Sequence, residues 1–141
     1  MNIKLILATA LGLGSVLAVT IPAVQVAAQG AAAPIRVQFA KGTSSKTIKA
    51  SIRGDQSKLY VVNVRAGQKL TVKLTPSNAS NYFNITAPGA QQALFIGSTE
   101  GNSYTGVVPS SGDYKIDVFL MRNAARRNET SNFTLFVGAK N

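Results

Sequence analysis

Beyond the N-terminal segment, apolar and polar residues alternate along most of this chain with the two-residue period of a β-strand. Residues 35–39 alternate, and 47–52 place Ile48, Ala50 and Ile52 on one face. Residues 58–64 are rich in β-branched and aromatic side chains, and 68–74 send Leu70, Val72 and Leu74 inward. Residues 76–81 read as a loop by composition. Strands are then expected over 82–86, 93–96, 103–107, 114–121 and 132–137, separated by turn residues such as Pro88-Gly89, Gly101-Asn102 and Ser111-Gly112. No window carries a capped helical stripe. Eight or nine short strands at this spacing predict an all-β fold, an antiparallel sandwich of about eight strands or a barrel.

The N-terminus departs from this pattern. Lys4 precedes an apolar run from Leu5 to Ile21, followed by the small-residue exit Val26-Ala27-Ala28. That order predicts a signal peptide over 1–28, a flexible leader over 29–34 and one β-sandwich domain over 35–141. The expected location is periplasmic or secreted, without stable membrane insertion after cleavage. The chain has 15 Lys and Arg against 5 Asp and Glu and no Cys, so stability must come from a buried core rather than from disulfides. Loss of Lys4 with the signal peptide leaves a charge of +9, which favours anionic partners or serves solubility. The dispersed lysines and exported location do not support a nucleic-acid role. Four Asn-x-Ser/Thr sequons (Asn78, Asn84, Asn128, Asn132) fit surface loops and strand edges.

The missing residue types narrow the chemistry. Without His or Cys, no Ser-His-Asp triad, Cys nucleophile or usual zinc site can be assembled. Asp113 and Asp117 are the closest carboxylates in sequence, but on one strand they stand ~13 Å apart, beyond the separation glycosidases use. With Lys115 between them on the same face, they read as a surface salt-bridge row. The acids are too scattered for a calcium site. The expectation is a protein that is not an enzyme and holds no cofactor or metal.

Binding chemistry concentrates between Ser110 and Arg127. Gly112 permits a tight turn, and Tyr114 opens a strand whose inward residues are Tyr114, Ile116, Val118 and Leu120. Tyr114 is therefore expected as a corner tyrosine, its ring buried and its hydroxyl bonded locally; a partner-facing role for Ser111 remains open. Arg122, Arg126 and Arg127 fall in the connection to the last strand, which is longer than a minimal hairpin needs. Ala124-Ala125 in its middle allows one helical turn, which would set Arg122 and Arg126 on one side. The loop is either a cationic grip for carboxylates or a solvated basic loop with Glu129 as local partner.

The segment from Ser111 to Val137, with its Ser-Gly-x-Tyr turn, alternating strand and Arg-Asn-Ala-Ala-Arg-Arg loop, resembles the periplasmic inhibitors of goose-type lysozyme. The resemblance implies a small exported β-sandwich whose partner is lysozyme, the goose type being favoured. Its two functional arginines correspond to Arg122 and Arg126, and its Ser-Gly/Tyr motif to Ser111, Gly112 and Tyr114; Arg127 would be an auxiliary contact. A second resemblance, carried by Tyr-x-Val-x-x-x-Ala-Gly-Gln at 60–68, is to pre-peptidase C-terminal domains. It implies a non-catalytic module for an anionic cell-envelope polymer or surface.

Overall fold

The computed structural model describes residues 32–141, so the expected signal peptide (1–28) and the first part of the expected leader lie outside the described residues. The strands are β1 (Pro34–Arg36), β2 (Ser45–Arg53), β3 (Lys58–Val64), β4 (Lys69–Pro76), β5 (Asn81–Thr86), β6 (Phe95–Ile96), β7 (Ser103–Val107), β8 (Gly112–Leu120) and β9 (Thr130–Lys140). Two helical turns interrupt them, α1 (Gly97–Glu100) and α2 (Arg122–Arg126). One sheet has the order β1-β3-β8-β5-β6 and the other β2-β9-β4-β7. The fold is an all-β sandwich.

The alternation explains why these strands stack as two layers. Leu70, Val72 and Leu74 of β4 and Phe133, Leu135 and Val137 of β9 are buried from one side. Tyr60, Val62 and Val64 of β3, Phe83 and Ile85 of β5, and Tyr114, Ile116, Val118 and Leu120 of β8 meet them from the other. Each such side chain contributes about 1.5–3 kcal/mol when moved from water into the core.

Two details depart from the sequence expectation. Almost all pairings are antiparallel, but β1 runs parallel to β3, with Pro34 opposite Leu59 and Arg36 opposite Val61. The cause is topological: between β1 and β3 the chain crosses to the other sheet to form β2, and returns in its original direction. Pro34 is tolerated as the first residue of this edge strand, where its missing N–H disrupts nothing. The second departure is α1, which lies in a stretch without helical periodicity. Gly97 opens it where a Cβ would collide with the Phe83 carbonyl of β5.

The β8 turn and the α2 loop as candidate functional site

The residues singled out in the sequence lie at opposite ends of β8. Its nine residues, Gly112–Leu120, span about 26 Å at the usual rise of a strand. Ser111, Gly112 and Tyr114 are at one end, and Arg122, Arg126 and Arg127 at the other. The structure does not bring the two groups into one site.

At the first end the side chains are spent on the fold. The Ser111 hydroxyl accepts a 2.8 Å bond from the Ala66 N–H, tying β8 to the turn between β3 and β4. Gly112 has φ +143°, and a Cβ there would sit 2.8 Å from Cγ of Pro88, so both conformation and space require glycine. Tyr114 is fully buried, and its hydroxyl donates to the Ser110 carbonyl at 2.6 Å while lying 3.3 Å from Ser110 Oγ. This is the locally bonded corner tyrosine expected from the sequence. Burial leaves Tyr114 no surface to offer a partner, so its place among partner-contacting residues is corrected to one that shapes the turn.

Asp113 also corrects an expectation. It does not form a salt-bridge row with Lys115 and Asp117. Arg36 of β1 donates to it through both terminal nitrogens, at 3.1 and 2.9 Å, and Asn63 Nδ2 adds a bond of 3.1 Å. The Arg36 bond, then the Asn63 bond, lowers its pKa from 3.8 to about 2. Asp117, two residue pairs along the same face, has no ion-pair partner among the described residues, and partial burial raises its pKa. The parallel β1 supplied Arg36, a neighbour the sequence alone does not place.

At the other end the chain builds a clamped turn. Ala124 is fully buried and pins α2 into the core edge. The turn ends in a Schellman arrangement: Asn128 N–H donates to Ala125 O at 2.9 Å and Glu129 N–H to Ala124 O at 3.1 Å. Asn128 takes the left-handed conformation that closure requires, φ 57°. Neighbouring turns brace it. Met121 N–H donates to Ser80 O, Gly54 N–H to Glu129 O, and Asn78 Nδ2 to Glu129 Oε1, all within 2.9 Å.

Within this frame the three arginines differ. Arg127 Nε donates to Glu129 Oε2 at 2.6 Å, the local pairing that one reading of the sequence anticipated. Bonds from Asn78 and then Arg127 lower the Glu129 pKa. Arg122 and Arg126 are exposed, and among the described residues neither guanidinium engages a hydrogen bond or ion pair. They stand four residues apart on α2, hence as side-by-side neighbours. The arrangement offers two free, adjacent, bidentate cations on a braced support. Sequence reasoning missed Arg53, whose Nε donates to Asn128 O at 3.3 Å across 75 positions. Only the pairing of β2 with β9, which sets Arg53 opposite Thr130, brings it there.

Among the described residues no cluster of His, Cys, Asp and Glu could hold a metal ion, and no helix is long and apolar enough to cross a membrane.

Comparison with known proteins follows the same lines. No protein-family model matches the chain. It is 29% identical over 109 residues to the inhibitor of g-type lysozyme of Escherichia coli strain K12, covering 75% of this chain and 80% of that protein. The crystal structure of the Aeromonas hydrophila periplasmic inhibitor of g-type lysozyme superposes with TM-score 0.69 at 37% identity, over 76% of this chain and 96% of that one. The Salmonella Typhimurium counterpart gives TM-score 0.60 at 27% identity, over 76% and 97% of the two chains. With the sandwich, the β8 turn and the arginine-bearing loop in hand, the chain belongs to the family of periplasmic inhibitors of g-type lysozyme.

Proposed function

We propose that this protein is a non-catalytic periplasmic inhibitor of g-type lysozyme that inserts Arg122 and Arg126 into the enzyme's active-site cleft. Residues 1–28 serve as the export signal, and the inhibitor meets an enzyme that arrives from outside. Glycoside hydrolases of this kind work with carboxyl groups in a deep cleft. A stoichiometric inhibitor needs cations that reach those groups on a support too stiff to fold back.

The observation that carries this reading is that Arg122 and Arg126, on a braced turn, have no hydrogen-bond or ion-pair partner among the described residues. Arg122 opens α2, and no acidic residue lies in that turn to pair with it. A carboxylate-lined cleft would pair both guanidinium groups while water is excluded, the setting in which charge-assisted bonds are strongest. Arg127 is already held by Glu129 and contributes less. Ser111 and Gly112 support the inhibitor through its fold.

The test is clearance of a peptidoglycan suspension by g-type, chicken-type and invertebrate-type lysozymes in the presence of the purified protein. Slowing of the g-type enzyme at near-stoichiometric inhibitor is expected, with little effect on the others. If none of the three is slowed at micromolar protein, the reading fails.

A further inference from the structure

The outer face of the four-stranded sheet has a charge distribution that lysozyme inhibition through α2 does not use. Alternation along β2, β9, β4 and β7 points Lys49, Lys69, Lys73 and Lys140 to the same side, away from the core. In the register, Lys69 lies directly opposite Lys140. Like charges in that relation destabilise a sheet unless something else neutralises them. Among the described residues no carboxylate of this face does so. The five carboxylates of the chain lie elsewhere: Asp113 and Asp117 on β8 of the other sheet, Glu100 on α1, and Asp55 and Glu129 in the turns beside α2. Both ion pairs among the described residues also lie off this face.

The remaining groups on the face are mostly small hydroxyls. Thr71 and Thr105 approach within 3.5 Å through their hydroxyl oxygens across the β4–β7 pair. Phe136 is the aromatic side chain of the face. Its ring lies against Gly138, where an added Cβ would come within 3.3 Å of it. The ring, Thr71, Lys69 and Lys140 line a shallow depression. Ammonium groups at strand spacing, hydroxyls between them and one flat ring match a linear polymer that carries sugar hydroxyls and regularly spaced carboxylates. Single-stranded nucleic acid would call for a row of stacking aromatics, which the face does not have. A lipid surface would call for protruding apolar side chains, which it also lacks apart from Val107 at its edge.

We propose that this face is a binding surface for a carboxylate-bearing glycan strand, separate from the arginine-bearing end. The attraction is electrostatic and spread over several lysines, so it weakens steeply with salt. The proposal does not rest on the inhibitor reading, since α2 is not part of the face.

Co-sedimentation with purified insoluble peptidoglycan tests it. At low ionic strength the protein should pellet with the glycan and be released by added salt. The variant Lys49→Gln/Lys69→Gln/Lys73→Gln/Lys140→Gln should lose about tenfold or more in apparent affinity and most of its salt dependence. A second variant, Lys41→Gln/Lys46→Gln/Lys58→Gln/Lys115→Gln, removes the same charge elsewhere and should bind nearly as the parent does. Thermal melting and far-ultraviolet circular dichroism establish that both variants fold. Equal loss in the two variants would reduce the effect to net charge and overturn the proposal. So would failure of the parent protein to pellet at low salt, or tighter binding to a single-stranded oligonucleotide than to the glycan.

Discussion

At the Gly112 end of β8, Ser111, Asp113 and Tyr114 all have partners within the fold, whereas at the Leu120 end Arg122 and Arg126 have none among the described residues. Both ends are polar and both stand out in the sequence. The difference lies in where their bonding capacity is used. A group already bonded inside the protein must give up that bond to serve a partner, so it discriminates poorly between free and bound states. A free guanidinium on a braced turn gives up water and side-chain freedom but no bond within the protein. The comparison separates a motif whose groups are bonded within the fold from a pair of exposed cations that the proposed function assigns to the enzyme.

The largest effect expected at the first end comes from Tyr114→Ala. Removing a fully buried aromatic should cost about 3–5 kcal/mol, read as a lowered urea midpoint. A variant that keeps its midpoint would place Tyr114 outside the turn's framework. At the other end, Ala124→Leu should cost about 1–3 kcal/mol by overpacking the site that pins α2, and it should weaken inhibition because both arginines shift with the turn. Full inhibition in that variant would mean the brace does not position them.

Smaller effects concern the acids of β8. The pKa of Asp113 is lowered from 3.8 to about 2. Its contribution is therefore complete above the unfolded value and is lost as pH falls from about 4 toward 2. Asp113→Asn should flatten that part of the acid-melting profile and leave inhibition unchanged. Asp117 is shifted the other way by desolvation. Its carboxylate costs stability as pH rises through its folded pKa, so Asp117→Asn should raise the melting temperature at neutral pH. The gain should vanish below the ordinary value of 3.8. A neutral or negative change at pH 7 would indicate a partner for Asp117 that the structure does not contain.

The parts of this architecture that were legible in the sequence are those that depend on local period. Leu70, Val72 and Leu74, and Tyr114 through Leu120, declared their buried faces by strict alternation. The α2 turn was legible because Ala124-Ala125 sits between arginines four apart. The parallel β1–β3 pairing was not, because it depends on which sheet β2 joins. Arg36 as the partner of Asp113 and Arg53 beside Asn128 were hidden for the same reason: their contacts span 77 and 75 positions. The lysines looked dispersed because they are dispersed along the chain. Sheet register alone sets Lys69 against Lys140 and leaves the face free of acids.

The central claim is that Arg122 and Arg126 act on the enzyme and not on the fold. The direct measurement compares the parent protein with Arg122→Ala/Arg126→Ala for two quantities, the inhibition constant against g-type lysozyme and the melting temperature. The pair is expected to contribute roughly 2 kcal/mol or more to the complex, so inhibition should weaken by at least about 30-fold in the double variant while the melting temperature stays unchanged. Unchanged inhibition, or a fall in melting temperature that accounts for the loss, would contradict the account.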